Sequence, residues 1–319
     1  MFDVVALGEL LIDFTCQSVD DSGYPTMVAH PGGAPANFLA ALTGFGAKTA
    51  FLGKVGNDAF GKLLNHTLVE AGIDTSGLLT SDDVFTTLAF VTLDETGNRA
   101  FSFSRKPGAD TCIAFEELDL SIIDRAKVFH FGTLSLTDEP AATATRKTVE
   151  YAKAKGKLIT YDPNLRKPLW KDLDFARQQL IWGMTKADVV KISDEEVDFL
   201  WGLGVEEGAR FILDHFDVKL VFVTCGADGC FFCNRKASGK VPSLSGIQVV
   251  DTTGAGDIFG GSAVWKLLQI EKKPEDLDGE QLQSIVRFAC TSAGLSTTKS
   301  GGISSVPEYE DVIRHQSAY

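Results

Sequence analysis

The chain has 319 residues, 44% of them apolar and 23% charged, and a net charge of −13. That length supports one large α/β domain or two modest ones with ample core, and the acidic balance excludes nucleic acid or an anionic membrane as the main partner, because both need a basic face. No apolar run reaches 18 residues, which excludes a membrane-spanning helix.

The first residues, MFDVVALGEL, carry no basic region ahead of a short apolar run, so they read as a mature cytoplasmic start and not as a signal peptide. Phe2–Gly8 reads as a buried strand, with Glu9 and Asp13 just past its end. Leu11–Cys16 and Tyr24–His30 read as further strand material. His30-Pro-Gly-Gly-Ala-Pro-Ala-Asn37 then sets a Gly-Gly turn before a helix over Ala34–Phe45. Glycines let the backbone approach a ligand closely, and Asn37 offers a donor and an acceptor that suit a hydroxyl-rich ligand. A strand follows at Thr49–Val55, then a helix over Ala59–Ala71 with Asp58 as its cap and Gly72 as its stop.

Val84–Arg105 alternates apolar and polar residues around Asp94-Glu-Thr-Gly-Asn98, a hairpin signal. Val128–Gly132 reads as a strand, Glu139–Lys155 as a helix ended by Gly156, and Lys157–Asp162 as a strand running into Asp162-Pro-Asn-Leu-Arg166. The strand Ala187–Ile192 runs into Ser193-Asp-Glu-Glu196 and a helix over Glu195–Leu200. Those acids read either as a capped helix start or as holders of Mg²⁺ through water. A helix over Glu206–His215 and a strand over Lys219–Thr224 lead into the turn Thr224-Cys-Gly-Ala-Asp-Gly229, whose backbone suits a nucleotide phosphate. Cys230 and Cys233 form a CxxC within a strand, where a spacing of three puts them on opposite faces, so they read as reduced, buried residues.

Near the end, Asp251-Thr-Thr-Gly-Ala-Gly-Asp257 precedes a helix over Ala255–Leu268, and a last helix covers Gly279–Thr298. Successive amides of such a glycine turn form a nest for an anion, reinforced by the helix dipole. Asp257 places a negative charge beside that nest. It reads as a helix cap or as a group facing a second reactant.

No GxxxxGK[ST], Rossmann fingerprint, HExxH or GxSxG is present, and the five histidines (30, 66, 130, 215 and 315) are isolated. The strand–helix rhythm implies a mostly parallel sheet with helices on both faces, and ligands in such sheets sit outside the carboxyl ends of the strands. The alternating stretches fit neither layer, so they read as a small sheet attached as a lid.

At these motifs the chain resembles the ribokinase-like (PfkB-type) carbohydrate kinases, and within them the fructokinases. The resemblance covers nearly the whole chain. It rests on GGAPANFLAALTGFGAKTAFLGKVGNDAFG (32–61) and DTTGAGDIFGG (251–261), with GELLIDF (8–14), FSFSRKPGAD (101–110), FGTLSLTDEP (131–140) and YDPNLRKPLW (161–170) similar to fructokinases in particular.

The resemblance implies an α/β fold: a ribokinase-like three-layer αβα sandwich with a mostly parallel central sheet, as a single domain over 1–319, with a β-sheet lid formed by about 11–31 and 84–108. It implies an ATP-dependent kinase acting on D-fructose at the 6-hydroxyl, with Mg²⁺ and a monovalent cation such as K⁺. Asp257 is then the base, and Gly254, Ala255 and Gly256 form the anion hole. Asp13, Gly32, Gly33, Asn37 and Arg105 match sugar-binding positions, with Arg105 on the lid. Thr224, Gly226, Gly229 and Cys290 match the nucleotide side, and Asp162, Asn164 and Arg166 the phosphate side. Glu196 keeps the place of an acid that acts on Mg²⁺ through water, although Ser193 stands where the family often has Asn. Asp251, Thr253, Ser296, Gly301 and Ser305 fall at places that match a monovalent cation site. A homodimer through the lid is a further expectation, with Phe85, Phe90, Phe101 and Phe103 as either its apolar surface or the core of the lid. The alternatives are a 2-keto-3-deoxygluconate kinase, for whose acidic substrate Arg105 and Lys106 are the evident lid cations, another PfkB-type sugar kinase, and a non-catalytic sugar-sensing scaffold.

Overall fold

The structure, a computed structural model, describes residues 1–93 and 99–316. In chain order its strands are β1 (Phe2–Leu7), β2 (Leu11–Val19), β3 (Pro25–Gly32), β4 (Thr49–Gly56), β5 (Asp74–Ser81), β6 (Leu88–Leu93), β7 (Arg99–Ser104), β8 (Ala126–Gly132), β9 (Leu158–Asp162), β10 (Val189–Ser193), β11 (Leu220–Thr224), β12 (Cys230–Asn234) and β13 (Ser238–Val241). The helices are α1 (Ala34–Gly44), α2 (Ala59–Glu70), α3 (Ser121–Asp124), α4 (Ala141–Ala154), α5 (Leu173–Met184), α6 (Asp194–Trp201), α7 (Val205–His215), α8 (Ala255–Ile270), α9 (Gly279–Ser296) and α10 (Tyr309–Gln316).

Among the described residues, one nine-stranded sheet has the order β13-β12-β11-β10-β9-β8-β1-β4-β5. The run from β11 to β5 is parallel, and β12 and β13 add an antiparallel end. Strand alternation splits the core between two faces. Val5 and Leu7 join the core under α4 to α7, while Val4 and Ala6 join the core under α1 and α8. This is the three-layer αβα arrangement that the alternating rhythm predicts. The order reverses at β1, since the chain moves outward through β4 and β5 and later through β8 to β11. The carboxyl ends of β1 and β8 therefore flank a switch point, where such sheets bind ligands.

A second sheet has the order β3-β2-β6-β7. Its strands come from the two stretches that fit no layer. Pairing is antiparallel for β2–β3 and β6–β7 and parallel for β2–β6. The expected turn at Asp94–Asn98 lies outside the described residues, as does the side chain of Phe101.

Local chemistry sets the helix ends as expected. Asp58 accepts from the amides of Phe60 and Gly61 at 2.9 and 2.8 Å. Gly72 and Gly156 stop their helices at φ of 78° and 69°, a region that favours glycine. Cys230 and Cys233 sit in different cores, on opposite faces of β12. The strand β5 and the helices α3, α5 and α10 go beyond the sequence expectation. No described helix is long and apolar enough to cross a membrane.

Candidate active site

The site forms where the loops after β1, β3, β9 and β10 meet the start of α8. Gly33 precedes α1 with φ of 124°, and a Cβ there would lie against the carbonyl of Glu9. Only glycine allows this crossing. With no side chain at that cap, the buried Glu9 supplies one from outside, since its Oε1 accepts from the Ala34 amide at 2.9 Å. Burial pushes the Glu9 carboxyl up to about 7. Gly32 leaves room for the carboxylate of Asp13, which a Cβ would meet. Asp13 is raised to about 6, first by burial and then by the charges of Asp257 and Asp251, while Arg166 opposes the shift.

Asn37 lies on the first turn of α1 and donates from Nδ2 to Oδ2 of Asp257 at 2.9 Å. Its own Oδ1 is buried and has no partner. A buried acceptor without a donor is costly, and an incoming hydroxyl would satisfy it. Gly302 makes room for Asn37, since a Cβ there would fall on the amide group.

Gly254 is the cap of α8, with φ of 75° and no side-chain acceptor for the amides that follow. Ala255 donates to the Thr252 carbonyl at 3.3 Å and Ile258 to that of Gly254 at 2.9 Å. Between them, the amides of Gly256 and Asp257 have no protein acceptor among the described residues. Two such donors at a helix start suit an anion. Asp257 is buried, which raises its carboxyl. Lys191, the Asn37 hydrogen bond and Arg166 oppose that rise.

Lys191, on β10, is a site residue that sequence reasoning missed. Its Nζ pairs with Oδ2 of Asp162 at 3.0 Å, and 13% of its side chain is exposed. A Cβ on Gly256 would sit 2.9 Å from that Nζ. Behind it, a small cavity is lined by His130, Phe38, Thr160 and Asp162, among others. His130 stacks on Phe38 with centroids 3.7 Å apart and meets Thr160 Oγ1 at 3.0 Å. Burial, then Lys191, holds His130 down to about 3, so it is a neutral wall.

Asp162 starts a short turn in which its Oδ1 accepts from the amide of Asn164 at 3.2 Å, with Asn164 at φ of 44°. Asn tolerates this region better than most residues. Arg166 is exposed, with Asp13 and Asp257 within its electrostatic reach. Glu196 is held by a capping box. Its Oε2 accepts from Ser193 N at 2.9 Å, its Oε1 accepts from Leu165 N at 2.6 Å, and Ser193 Oγ accepts from Glu196 N at 3.2 Å. Ser193 thus serves as the helix cap.

Asp251 ties two turns together. Its Oδ1 accepts from the Thr253 amide and hydroxyl at 3.0 and 2.7 Å, and its Oδ2 accepts from Gly301 N at 3.1 Å. Ser296 and Ser305 donate to the carbonyls of Ala293 and Gly302, so their hydroxyl protons are committed within the fold. Farther along the sheet edge, Thr224 donates to Ile192 O at 3.4 Å. Gly226 and Gly229 take φ of 52° and 90° in the tight turn that follows. Cys290 is buried in the core beneath, with its thiol pushed up to about 12 by burial.

Arg105 is buried, with Glu9 within its electrostatic reach. Its side chain is 3% exposed and pairs with Asp110 at 2.7 Å. Nε donates to Asp110 at 2.8 Å, Nη1 to Thr137 Oγ1 at 2.7 Å and Nη2 to the Leu134 carbonyl at 2.8 Å. The small sheet is anchored to the main body through this cluster.

The description "pfkB family carbohydrate kinase" matches residues 1–309. Fructokinase-1 of Zea mays is 42% identical over 315 residues, which are 98% of this chain and 96% of that protein. The crystal structure of a fructokinase from Xylella fastidiosa with bound ATP superposes with a TM-score of 0.91 at 31% identity, covering 100% of this chain and 99% of that one. The fructokinase of Vibrio cholerae O395, in a form with fructose, ADP and calcium ion bound, gives 0.86 at 28% identity over 99% of both chains.

Proposed function

This chain belongs to the pfkB family of carbohydrate kinases, and from that premise we propose that it transfers a phosphoryl group from ATP to the 6-hydroxyl of D-fructose. The observation that carries the assignment of roles is the Asn37–Asp257 pair beside the two unpartnered amides. The orphan Oδ1 of Asn37 accepts from a sugar hydroxyl. Oδ2 of Asp257 is held by Asn37, so its other oxygen faces the attacking hydroxyl. Asp13 and the Gly32–Gly33 turn complete the sugar side.

Phosphoryl transfer is loose, and the hydroxyl proton need move only late, so a carboxylate suffices as base. Such a base contributes roughly 10²–10⁴-fold. The nest from Gly254 to Gly256 donates to charge that builds on the phosphoryl oxygens, where losing one donor costs about 10²–10³-fold. Thr224, Gly226 and Gly229 line the nucleotide side, and Arg166 reaches the phosphates from the exposed edge. The small sheet acts as a lid that excludes water.

A Mg²⁺ ion bound with the nucleotide would supply positive charge against the phosphates. No described cluster of three or more ligating side chains exists, so the fit is to a hydrated ion. Glu196, oriented by the amides of Leu165 and Ser193, would act on its water shell through its remaining lone pairs. The turns joined by Asp251 and Gly301 would hold K⁺ through backbone carbonyls. Because Arg105 is engaged with Asp110, one cation that an acidic sugar would use is already committed, which favours a neutral sugar. A second copy docking through the small sheet is the assembly proposed.

The test is a coupled assay of ADP release across a sugar panel. Fructose should give the highest kcat/KM, and preference for 2-keto-3-deoxygluconate or no turnover with any sugar would overturn the reading.

A further inference from the structure

We propose that Lys191 is a positioning residue for the transfer: its ammonium, fixed against the start of α8 by Asp162, holds Asp257 in the charged form that accepts the proton. The inference rests on Asp257 being the base.

Three observations carry it. Lys191 sits in the middle of β10, whose other side chains are apolar except Ser193, and it is largely buried at the carboxyl end of a parallel sheet. A buried ammonium needs a reason and a partner, and Asp162 on the neighbouring strand is the partner at 3.0 Å. Its Nζ also occupies the space that a Cβ on Gly256 would approach to 2.9 Å. The second glycine of the Gly-Ala-Gly turn therefore faces the Lys191 ammonium directly. The residue after that glycine is Asp257.

The charged groups that act on Asp257 come from four other elements. Lys191 on β10 and Arg166 after β9 favour its ionised form, while Glu196 on α6, Asp162 at the end of β9 and Asp13 on β2 oppose it. Lys191 is first among the charges on Asp257. Without it, a buried carboxylate would face three others with one exposed arginine as compensation. The ion pair with Asp162 orients the ammonium, and the neutral His130 behind it adds no competing charge.

The experiment measures the ionisation of Asp257 directly, by ¹³C NMR of aspartate-labelled protein without ligands, with the resonance assigned through Asp257→Asn. In Lys191→Met the titration midpoint should rise by about one pH unit or more, while Lys191→Arg should stay near the parent. The acid limb of kcat/KM should move the same way with whichever sugar the parent protein uses. An unmoved midpoint in Lys191→Met overturns the inference. Because the NMR readout needs no acceptor, failure of the fructose assignment leaves this test intact. Should Lys191→Met not fold, Lys191→Met/Asp162→Asn removes the pair together and strands no buried charge. A midpoint above that of Asp162→Asn alone supports the role there, and a midpoint at or below that of Asp162→Asn overturns it.

Discussion

Asn37 and Asp257 are 220 positions apart in sequence, yet one hydrogen bond of 2.9 Å joins them at the starts of two packed helices. The bond couples the sugar side to the phosphate side. It restrains the proposed base with a donor packed against Gly302.

That coupling predicts paired effects. Asn37→Ala should raise KM for fructose and lower kcat, for a loss in kcat/KM of at least about tenfold, near 1.4 kcal/mol. Gly302→Ala, whose Cβ would fall on the Asn37 amide, should give a similar loss. The double variant should be far from additive, because both changes act on one side chain. Steady-state kinetics of the four proteins checks this, and additive losses would separate Gly302 from Asn37.

For Asp257→Asn the expected result is a fall in kcat of at least about 10²-fold, with fructose affinity by calorimetry within a few-fold of the parent. The amide keeps the shape and a partner for Asn37, so binding persists while proton acceptance is lost. Near-normal turnover would remove Asp257 from the role of base.

Arg105→Ala should act on stability. The change strands the carboxylate of Asp110, whose side chain is 2% exposed. Breaking a buried pair from one side typically costs about 3–5 kcal/mol. Urea midpoints measure it. Arg105→Ala/Asp110→Asn should recover part of the loss, whereas a stable single variant with only a raised fructose KM would make Arg105 a substrate contact.

The pH dependence of unfolding should carry the mark of Glu9. Its carboxyl moves from 4.5 to about 7 on folding, so between those values the native state holds the proton and the unfolded chain has lost it. Stability contributed by the group is then present below pH 4.5 and declines as pH rises toward 7. The full span is on the order of 3 kcal/mol. Glu9→Gln keeps an acceptor for Ala34 but cannot ionise, so its stability should change less across that window. Parallel curves for the two proteins would exclude Glu9 as the source.

The sequence made the layers legible, because buried parallel strands write continuous apolar runs and each helix end has its own chemistry, as at Asp58 and Gly72. It also marked the loops at the strand ends. It hid what depends on neighbours from distant positions. β5, with the sequence DTSGLLTS, is an edge strand too polar to stand out. Lys191 reads as one polar letter in VVKIS until Asp162 and Gly256 are placed beside it. Arg105 reads as a free lid cation until the fold delivers Asp110, Thr137 and the Leu134 carbonyl. Glu9 reads as an acid near a strand end, and only the packing of α1 turns it into that helix's cap.

The order of the large sheet has a bearing on biosynthesis. β1, the first strand of this sequence, ends in the middle, with β4 on one side and β8 on the other. The residues of the proposed sugar side, Asp13 to Asn37, precede residue 251 by more than 200 positions, yet the core beneath them closes only when α8 packs on α1. The proposed base and the anion nest arrive among the last elements. The proposed sugar-side residues are thus made before the proposed means of activating ATP.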